Sequence, residues 1–243
     1  MMKKKGTRLN RYLSLCGIAS RRKCEEFILD ERIAVNGVIA AGLFTIVYEN
    51  DIVSLDGSKI TPQRFTYLVM NKPMGVVTTL QDEKNRKHVG MLLPRNLFVK
   101  PVGRLDKNTT GVLLFTNDGD LQYRLSHPKY KISRLYQVVL DRIIQENISD
   151  KIQKGVQLNH QEVARGNVIS IENLKYQSVI RLELKEGLNR EIHRLFRVLG
   201  YKVIELERLK YADISAGGLI RGHWRYLHEK EVRVLKQKCG LNY

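Results

Sequence analysis

The sequence contains few cysteines: Cys16, Cys24 and Cys239 are the three in 243 residues, and none belongs to a CxxC pair. A small domain stapled by disulfide bonds carries an even number of closely spaced cysteines, and a cysteine zinc site requires paired thiols. The histidines show no ligand spacing with cysteines or acidic residues. We therefore expect three reduced, structural cysteines and no metal site.

The sequence also lacks a long hydrophobic run. Crossing a bilayer takes about twenty consecutive apolar residues, and no segment approaches that length. The opening residues, MMKKKG, are basic like the start of a signal peptide, but Thr7, Arg8 and Asn10 stand where an apolar core would be needed. These patterns predict a protein that does not enter the membrane and that stays in the cytoplasm.

Acidic residues are scarce relative to basic ones. The chain has 25 Asp and Glu against 42 Lys and Arg, a net charge of +17 and a pI near 9.8. Such a surface attracts polyanions through phosphate contacts and counterion release. An anionic membrane is the competing partner, but it usually requires a basic amphipathic helix with bulky aromatic residues, and the chain has one Trp. Nucleic acid is therefore the predicted partner. No glycine-rich phosphate loop is present, so no cofactor is expected.

Residues 1–60 are predicted to form a compact α+β domain. Apolar residues recur at helical spacing between Leu9 and Cys16, and Ser20 is a good N-cap for a second helix. The dipeptide Asn36-Gly37 favours a two-residue hairpin turn. Eight of the first 24 residues are basic and none is acidic, which predicts a positively charged surface at this end.

The pattern RLNRYLSLCGIASRRKCEEFI, followed by RIAVNG and DIVSLDG, resembles the S4 RNA-binding domain. The resemblance implies that the two helices and the following hairpin contact structured RNA. The RNA ligands that it suggests are Arg8, Arg11, Arg21, Arg22, Lys23 and Asn36. For any single arginine of this set, a solvated surface charge is the alternative.

Residues 61–64 are predicted to be a linker, and residues 65–243 a larger second domain. Its strand candidates are Tyr67–Met70, Val112–Phe115, Tyr136–Leu140, Val163–Ile171, Val179–Leu184 and Lys202–Leu209, with helices near 119–126, 145–153 and 189–199. Because strands dominate and do not alternate regularly with helices, we predict an α+β fold on a mixed, mostly antiparallel sheet.

Residues 103–119, GRLDKNTTGVLLFTNDG, place one acidic side chain, Asp106, in a turn-forming segment just before an apolar strand. The polar residues after Asp106 are typical of a loop, and the run Val112–Phe115 is typical of a central strand. Residues 117–119 read Asn-Asp-Gly and predict a tight turn after that strand. A carboxylate beside such a rigid element is well placed for chemistry.

The GRLD, TTG and TNDG elements of this segment resemble the catalytic motif of the pseudouridine synthases, in the branch that modifies ribosomal RNA. The resemblance implies that Asp106 is the nucleophile and that Arg104 is its flanking basic residue. A second match is RLY, which implies that Tyr136 lies against the target base and that Arg134 is a basic RNA ligand.

Two further RNA ligands are suggested by the region before the nucleophile. The KPMG element that begins at Lys72 resembles a KPxG element early in the family's catalytic domain. The polar loop at residues 80–90 carries Arg86 and is interpreted as gripping the RNA backbone, with a solvated loop as the alternative.

The segment EGLNREIHRLFRVLG, residues 186–200, predicts an amphipathic basic helix. It resembles the family's EGxNRQxRR segment, with Glu191 in place of Gln and His193 in place of the Arg or Lys that pairs with the nucleophile. His193 is therefore one candidate partner of Asp106, and Arg194 is the other. Arg190 is interpreted as an RNA ligand.

We therefore interpret the chain as a pseudouridine synthase that acts as a monomer on ribosomal RNA, by base flipping and attack by Asp106. The GVQL, EGLNRE and WRYL elements favour the large-subunit (23S) RNA over the small-subunit RNA. The alternatives are a non-catalytic rRNA-binding assembly factor, which the His193 substitution favours, and a hydrolase with paired carboxylates, which would need a second positioned acid.

Overall fold

A computed structural model describes residues 6–144 and 147–242 of the chain. The chain divides into two compact units, Met1–Phe65 and Thr66–Tyr243. The lysines at positions 3–5, which belong to the basic N-terminal run, lie outside the described residues. Among the described residues, no helix is long and apolar enough to cross a membrane.

The first unit is built from short helices and strands. In chain order these are β1 (Thr7–Arg8), α1 (Leu9–Leu15), α2 (Arg21–Leu29), β2 (Ile33–Val35), β3 (Val38–Ile39), β4 (Ile46–Val47), β5 (Val53–Leu55) and β6 (Ser58–Ile60). Strands β3, β2, β5 and β6 form an antiparallel sheet in that order, and β1 pairs with β4.

Local signals in the sequence account for the ends of these elements. The Ser20 side chain accepts a hydrogen bond from the Lys23 N–H and caps α2, as predicted. Asn36 and Gly37 have φ values of 53° and 81° and form the two-residue turn between β2 and β3. Residues 61–64, which we predicted to be a linker, are grouped with the first unit.

The second unit contains the longer strands. In chain order its elements are β7 (Tyr67–Lys72), β8 (Lys100–Pro101), β9 (Thr110–Thr116), α3 (Gly119–Ser126), β10 (Arg134–Leu140), α4 (Ile148–Lys154), β11 (Val156–Gln157), β12 (Val163–Ala164), β13 (Asn167–Asn173), β14 (Ser178–Leu184), α5 (Glu191–Val198), β15 (Val203–Tyr211), β16 (Ile214–Ser215), β17 (Trp224–Tyr226) and α6 (Glu229–Lys238). Two short 3₁₀ turns, Val89–Leu92 and Pro128–Tyr130, complete the described elements of this unit.

Most strands of the second unit form one sheet in the order β13-β14-β10-β15-β9-β7-β17, with β16 on β15 and β8 on β9. The neighbours pair antiparallel, except β15 and β9, which pair parallel. This confirms the predicted α+β fold with a mixed, mostly antiparallel sheet.

The apolar run in β9 is buried on both faces of the sheet. Val112 and Leu114 belong to a core cluster that includes residues of α3 and α6, whereas Leu113 and Phe115 belong to a cluster on the other face. Side chains alternate between faces along a strand, so a strand covered on both sides shows a continuous apolar run instead of a polar-apolar alternation. The predicted central strand is therefore confirmed.

The parallel pairing of β9 with β15 brings two distant parts of the chain together at the start of β9. Gly111 lies opposite Arg208 in this register. A Cβ atom at Gly111 would lie 2.2 Å from the Arg208 carbonyl oxygen, and the φ of Gly111 is +99°. The close approach and the positive φ both require glycine at this position.

Candidate active site

Asp106 lies on the loop that leads into β9, and the backbone beside it is held by hydrogen bonds. The neighbouring Leu105 is buried. Thr78 Oγ1 donates to the Leu105 carbonyl over 2.7 Å and accepts from the Leu105 N–H over 3.2 Å. On the other side, the Thr109 N–H donates to the Asp106 carbonyl over 3.1 Å. The exposed Asp106 carboxylate therefore extends from a fixed backbone.

Lys72, at the end of β7, holds this loop in place through hydrogen bonds. Its side chain is fully buried, and Nζ donates to the carbonyls of Pro73, Lys107 and Thr109 over 3.0, 3.1 and 2.9 Å. Burial lowers the pKa of Lys72 to about 8, although the Asp106 charge opposes this shift. The predicted RNA contact by Lys72 is wrong, because the ammonium group is enclosed and bonded to the loop that carries Asp106.

Among the described residues, Asp106 forms an ion pair with Arg190, whose Nε lies 3.9 Å from Asp106 Oδ2. Arg190 has a φ of 45° and precedes α5, so a left-handed residue turns the chain at this point. Both side chains are about half exposed, at 58% and 49%. A pair of this kind contributes at most about 1 kcal/mol to stability. Arg190, predicted as an RNA ligand, thus lies where the partner of the nucleophile was expected.

Neither predicted partner of Asp106 takes that place. Arg194 Nη1 instead forms an ion pair with Glu162, which corrects the prediction for Arg194. His193 is half-buried and lies in the same cleft as Asp106. Burial and the positive charge of Arg190 lower the pKa of His193, while the Asp106 charge opposes them. The imidazole is therefore predominantly neutral at pH 7, unlike the Arg or Lys expected there.

A cleft of about 310 Å³ surrounds the Asp106 loop. Arg104, Asp106, Tyr136, Arg190, His193 and Arg208 are among the residues that line it. Its volume is at the lower end of the range for small-molecule sites in proteins. The structure therefore brings together four groups that the family resemblance suggested, namely Asp106 with Arg104, Tyr136 and His193.

Tyr136 is half-buried on β10, where it packs against two core clusters. It lies opposite Leu182 of β14 and Arg208 of β15 in the sheet register. The pairing of β10 with β15 shifts register between Leu135 and Tyr136. A bulge of this kind redirects side chains near a functional site.

Arg134, at the start of β10, holds the fold together and does not extend toward solvent. It is buried, and its guanidinium donates to the Glu186 and Leu125 carbonyls and to the Tyr211 hydroxyl, over 3.0, 3.1 and 3.2 Å. The predicted RNA contact by Arg134 is therefore wrong, because the side chain is buried and its guanidinium donates three hydrogen bonds within the protein. Its charge was visible in the sequence, but its burial was not.

Two further cleft residues were not given a role from the sequence. Glu191 is 4% exposed, and burial raises its pKa to about 7. Its Oε2 accepts from the Leu188 N–H over 3.0 Å. Arg208 is 3% exposed and lies opposite Tyr136 on the neighbouring strand β15. The only signal for Glu191 was the departure from Gln in the motif, and Arg208 carried no signal.

The predicted RNA ligands of the first unit are all exposed. Arg8, Arg11, Arg21, Arg22 and Lys23 all have exposed side chains, and Lys23 forms an ion pair with Glu26. Asn36 is exposed as well, and its RNA contact stays a prediction; its amide donates to Asp51 and accepts from the Ile52 N–H, both over 2.9 Å. The Asn36 side chain therefore stabilises the hairpin. In the second unit, Arg86 is exposed and paired with Asp82.

Comparison with known proteins identifies the family. The model of the RNA pseudouridylate synthase family matches residues 66–197. The ribosomal large subunit pseudouridine synthase B of Bacillus subtilis (strain 168) is 35% identical over 234 residues, which cover 94% of this chain and 95% of that protein. The chain belongs to the RNA pseudouridylate synthase family. It is therefore an isomerase that acts on RNA.

Other RNA pseudouridine synthases are also similar to this chain over most of its length. The dual-specificity RNA pseudouridine synthase RluF of Salmonella typhi is 32% identical, over 96% of this chain and 79% of that protein. A crystal structure of a pseudouridylate synthase matches with a TM-score of 0.69 and 26% identity, over 94% of this chain and 99% of that one. The family model begins at residue 66, so the S4-like character of the first unit stays a prediction.

Proposed function

We propose that this pseudouridine synthase acts in the cytoplasm, as a monomer, on one uridine of large-subunit ribosomal RNA, with Asp106 as the nucleophile. The carrying observation is the exposed Asp106 carboxylate on a loop held by Thr78 and Lys72, inside a cleft that also contains Tyr136. The similarity to a ribosomal large subunit synthase supports the choice of RNA.

The reaction breaks the bond between uracil and ribose, turns the uracil, and joins its C5 to C1′. A carboxylate suits this sequence because it forms a covalent intermediate and later leaves. The fixed backbone around Asp106 keeps its carboxylate in place while the base turns. Arg190, whose Nε lies 3.9 Å from Asp106 Oδ2, pairs with the carboxylate and orients it.

The target uridine has to leave its stack before it reaches Asp106. Extrusion of a base costs a few kcal/mol, and stacking on an aromatic ring recovers about 1–3 kcal/mol. Tyr136 supplies such a ring in the cleft. Arg104, exposed beside Asp106, is placed to contact the phosphate or sugar of the extruded nucleotide.

The first unit docks the enzyme on structured RNA in this proposal. Arg8, Arg11, Arg21 and Arg22 are exposed on a protein of net charge +17. Each phosphate contact releases counterions, so binding should weaken steeply with salt. The exposed arginines therefore provide affinity, and the cleft provides the chemistry.

The test is the release of tritium from ribosomal RNA that carries uridine labelled at C5, because joining C5 to C1′ displaces that hydrogen. We expect the wild type to release tritium from large-subunit RNA and not from small-subunit RNA. Asp106→Asn should release none above background. Asp213→Asn is the matched control, because Asp213 is an exposed carboxylate outside the cleft, paired with Lys238.

Each part of the proposal fails on a different result. No release from either RNA by the wild type would reject ribosomal RNA as the substrate. Release from small-subunit RNA alone would move the target to the other subunit. Full activity of Asp106→Asn would remove Asp106 as the nucleophile. Chemical mapping of pseudouridine in the treated RNA then locates the modified position.

A further inference from the structure

Arg208 presents an unusual buried group in the cleft. The residue is 3% exposed, and its Nε donates to the Val112 carbonyl over 2.7 Å. Its guanidinium carbon lies 4.7 Å from the centre of the Tyr211 ring. Its Nη2 atom is buried and has no hydrogen-bond partner among the described residues. A buried donor without a partner is costly and rare in native proteins, so its hydrogen-bond acceptor is to be sought on a bound substrate.

The surroundings of Arg208 point to that acceptor. Arg208 lies opposite Tyr136 on one side and opposite Gly111, at the end of the Asp106 loop, on the other. It also lines the cleft. Its positive charge contributes to the lowered pKa of Lys72, so two buried cations are neighbours here. Within residues 6–144 and 147–242, neither cation forms an ion pair. Arg208 therefore brings a positive charge and a donor without a partner to the wall of the cleft.

The chemistry proposed for Asp106 generates an acceptor at this place. If the carboxylate displaces uracil at C1′, the electron pair of the C1′–N1 bond leaves with the ring. If the carboxylate adds to C6, the electron pair of the C5–C6 double bond moves onto the ring and O4. Both steps put negative charge on the carbonyl oxygens of the uracil. In a site that excludes water, a fixed hydrogen-bond donor aimed at developing charge stabilises the transition state more than the same donor would in water.

We propose that Arg208 donates a hydrogen bond from Nη2 to a carbonyl oxygen of the extruded uracil and stabilises the negative charge that the ring acquires. The role rests on the proposed action of Asp106 on a uridine. Arg208 is then a catalytic residue, held in position by Val112 and Tyr211. Neither the family motifs in the sequence nor the ion pair of Asp106 with Arg190 accounts for the unpaired Nη2 donor of Arg208.

The test compares wild type, Arg208→Gln and Arg208→Lys at saturating enzyme, so that the rate reports chemistry. We expect a rate about 10²–10³ times lower for Arg208→Gln, the usual cost of removing one such donor, and a smaller loss for Arg208→Lys, which keeps the charge. RNA affinity should stay within about threefold of the wild type, because this hydrogen bond strengthens mainly as charge develops in the transition state. Arg225→Gln is the matched control, since Arg225 pairs with Glu231 outside the cleft.

A second substrate separates charge stabilisation from a structural role. RNA with 5-fluorouridine at the target carries an electron-withdrawing group that stabilises the uracil anion itself, so loss of the donor should cost less. Formation of the covalent or rearranged fluorouridine species, followed by mass spectrometry, gives that rate. We compare the wild-type rate divided by the Arg208→Gln rate for the two substrates. This ratio should be at least tenfold smaller with fluorouridine than with uridine, since stabilisation of the anion by about one pKa unit corresponds to a factor of about ten.

Several results would overturn the role of Arg208. These are a wild-type rate in Arg208→Gln, an equal loss on both substrates, or loss of RNA affinity without loss of rate. Unfolding of both Arg208 variants in thermal melts, with a folded Arg225→Gln, would assign the residue to the fold alone. An inactive wild type would reject the proposed function instead, so the two failures are distinguishable.

Discussion

Replacement of Lys72 by Met tests whether this buried lysine holds the Asp106 loop in place. The Lys72 ammonium donates three hydrogen bonds to backbone carbonyls. Hydrogen bonds from a charged donor contribute about 1.5–3 kcal/mol each. Opposed to them is the cost of burying the charge, which is about 3 kcal/mol for a pKa lowered from 10.5 to about 8. We therefore expect Lys72→Met to lower the free energy of unfolding by about 1.5–6 kcal/mol.

The assay combines denaturant unfolding, RNA binding against salt, and single-turnover rate. A lysine that contacts one phosphate would reduce the salt slope of log Kobs by about 0.9 when removed. The enclosed Lys72 should leave that slope unchanged, while the rate falls because the loop that carries Asp106 loosens. Lys100→Met is the control, because Lys100 is exposed in the same unit. An unchanged unfolding free energy together with a smaller salt slope would refute this role of Lys72.

Alkaline pH gives an independent check on Lys72. Its folded pKa of about 8 lies below the 10.5 of the unfolded chain. Between these values the unfolded chain binds the extra proton, so stability rises with pH. The wild type should gain up to about 1.4 kcal/mol per pH unit relative to Lys72→Met in this window. A difference that does not change between pH 8 and 10 would contradict the burial of a charged Lys72.

Three further substitutions test other parts of the site. Gly111→Ala should lower the free energy of unfolding by more than about 2 kcal/mol, because its Cβ would meet the Arg208 carbonyl at 2.2 Å and its φ is +99°; a stability within 0.5 kcal/mol of the wild type, on the order of an ordinary surface change, would refute the close approach. The pKa of Glu191 is about 7 in the folded protein, above the 4.5 of the unfolded chain. The free energy of unfolding of the wild type should therefore fall by up to about 3 kcal/mol relative to Glu191→Gln as pH rises from 4.5 to 7. Parallel stability curves of the two proteins would show that the carboxyl group is not enclosed. Arg190→Gln should change the unfolding free energy by less than about 1 kcal/mol, because the pair with Asp106 is half exposed, yet slow the single-turnover rate; a normal rate would exclude Arg190 as the partner of Asp106.

Local signals in the sequence predicted much of the fold correctly. The run Val112–Phe115 is a strand, residues 119–126 are a helix, Ser20 caps α2, and Asn36-Gly37 turns a hairpin. Each of these depends on neighbours a few residues away, through backbone preference, capping or periodicity. The strand predicted at Val163–Ile171 is divided, because β12 and β13 pair with different partners. That division depends on which strands lie alongside.

The candidate site was predicted less completely. Asp106, Arg104, Tyr136 and His193 were named from motifs and share one cleft. Lys72 and Arg134 were named as RNA ligands because a basic residue in a motif gives no indication of its depth. Burial depends on what packs around a side chain, and each of these two bonds to backbone carbonyls from segments more than thirty positions away.

By itself, the sequence determined the family, the basic surface, the local elements and the acidic residue placed before β9, because each of these is written in neighbouring residues. The tertiary structure decided which cations reach Asp106. Arg190 reaches it because a left-handed residue turns the chain before α5. Arg208 enters the cleft because β15 pairs in parallel with β9, a contact between residues almost a hundred positions apart along the chain. Such pairings depend on the packing of the whole sheet, and no local pattern encodes them.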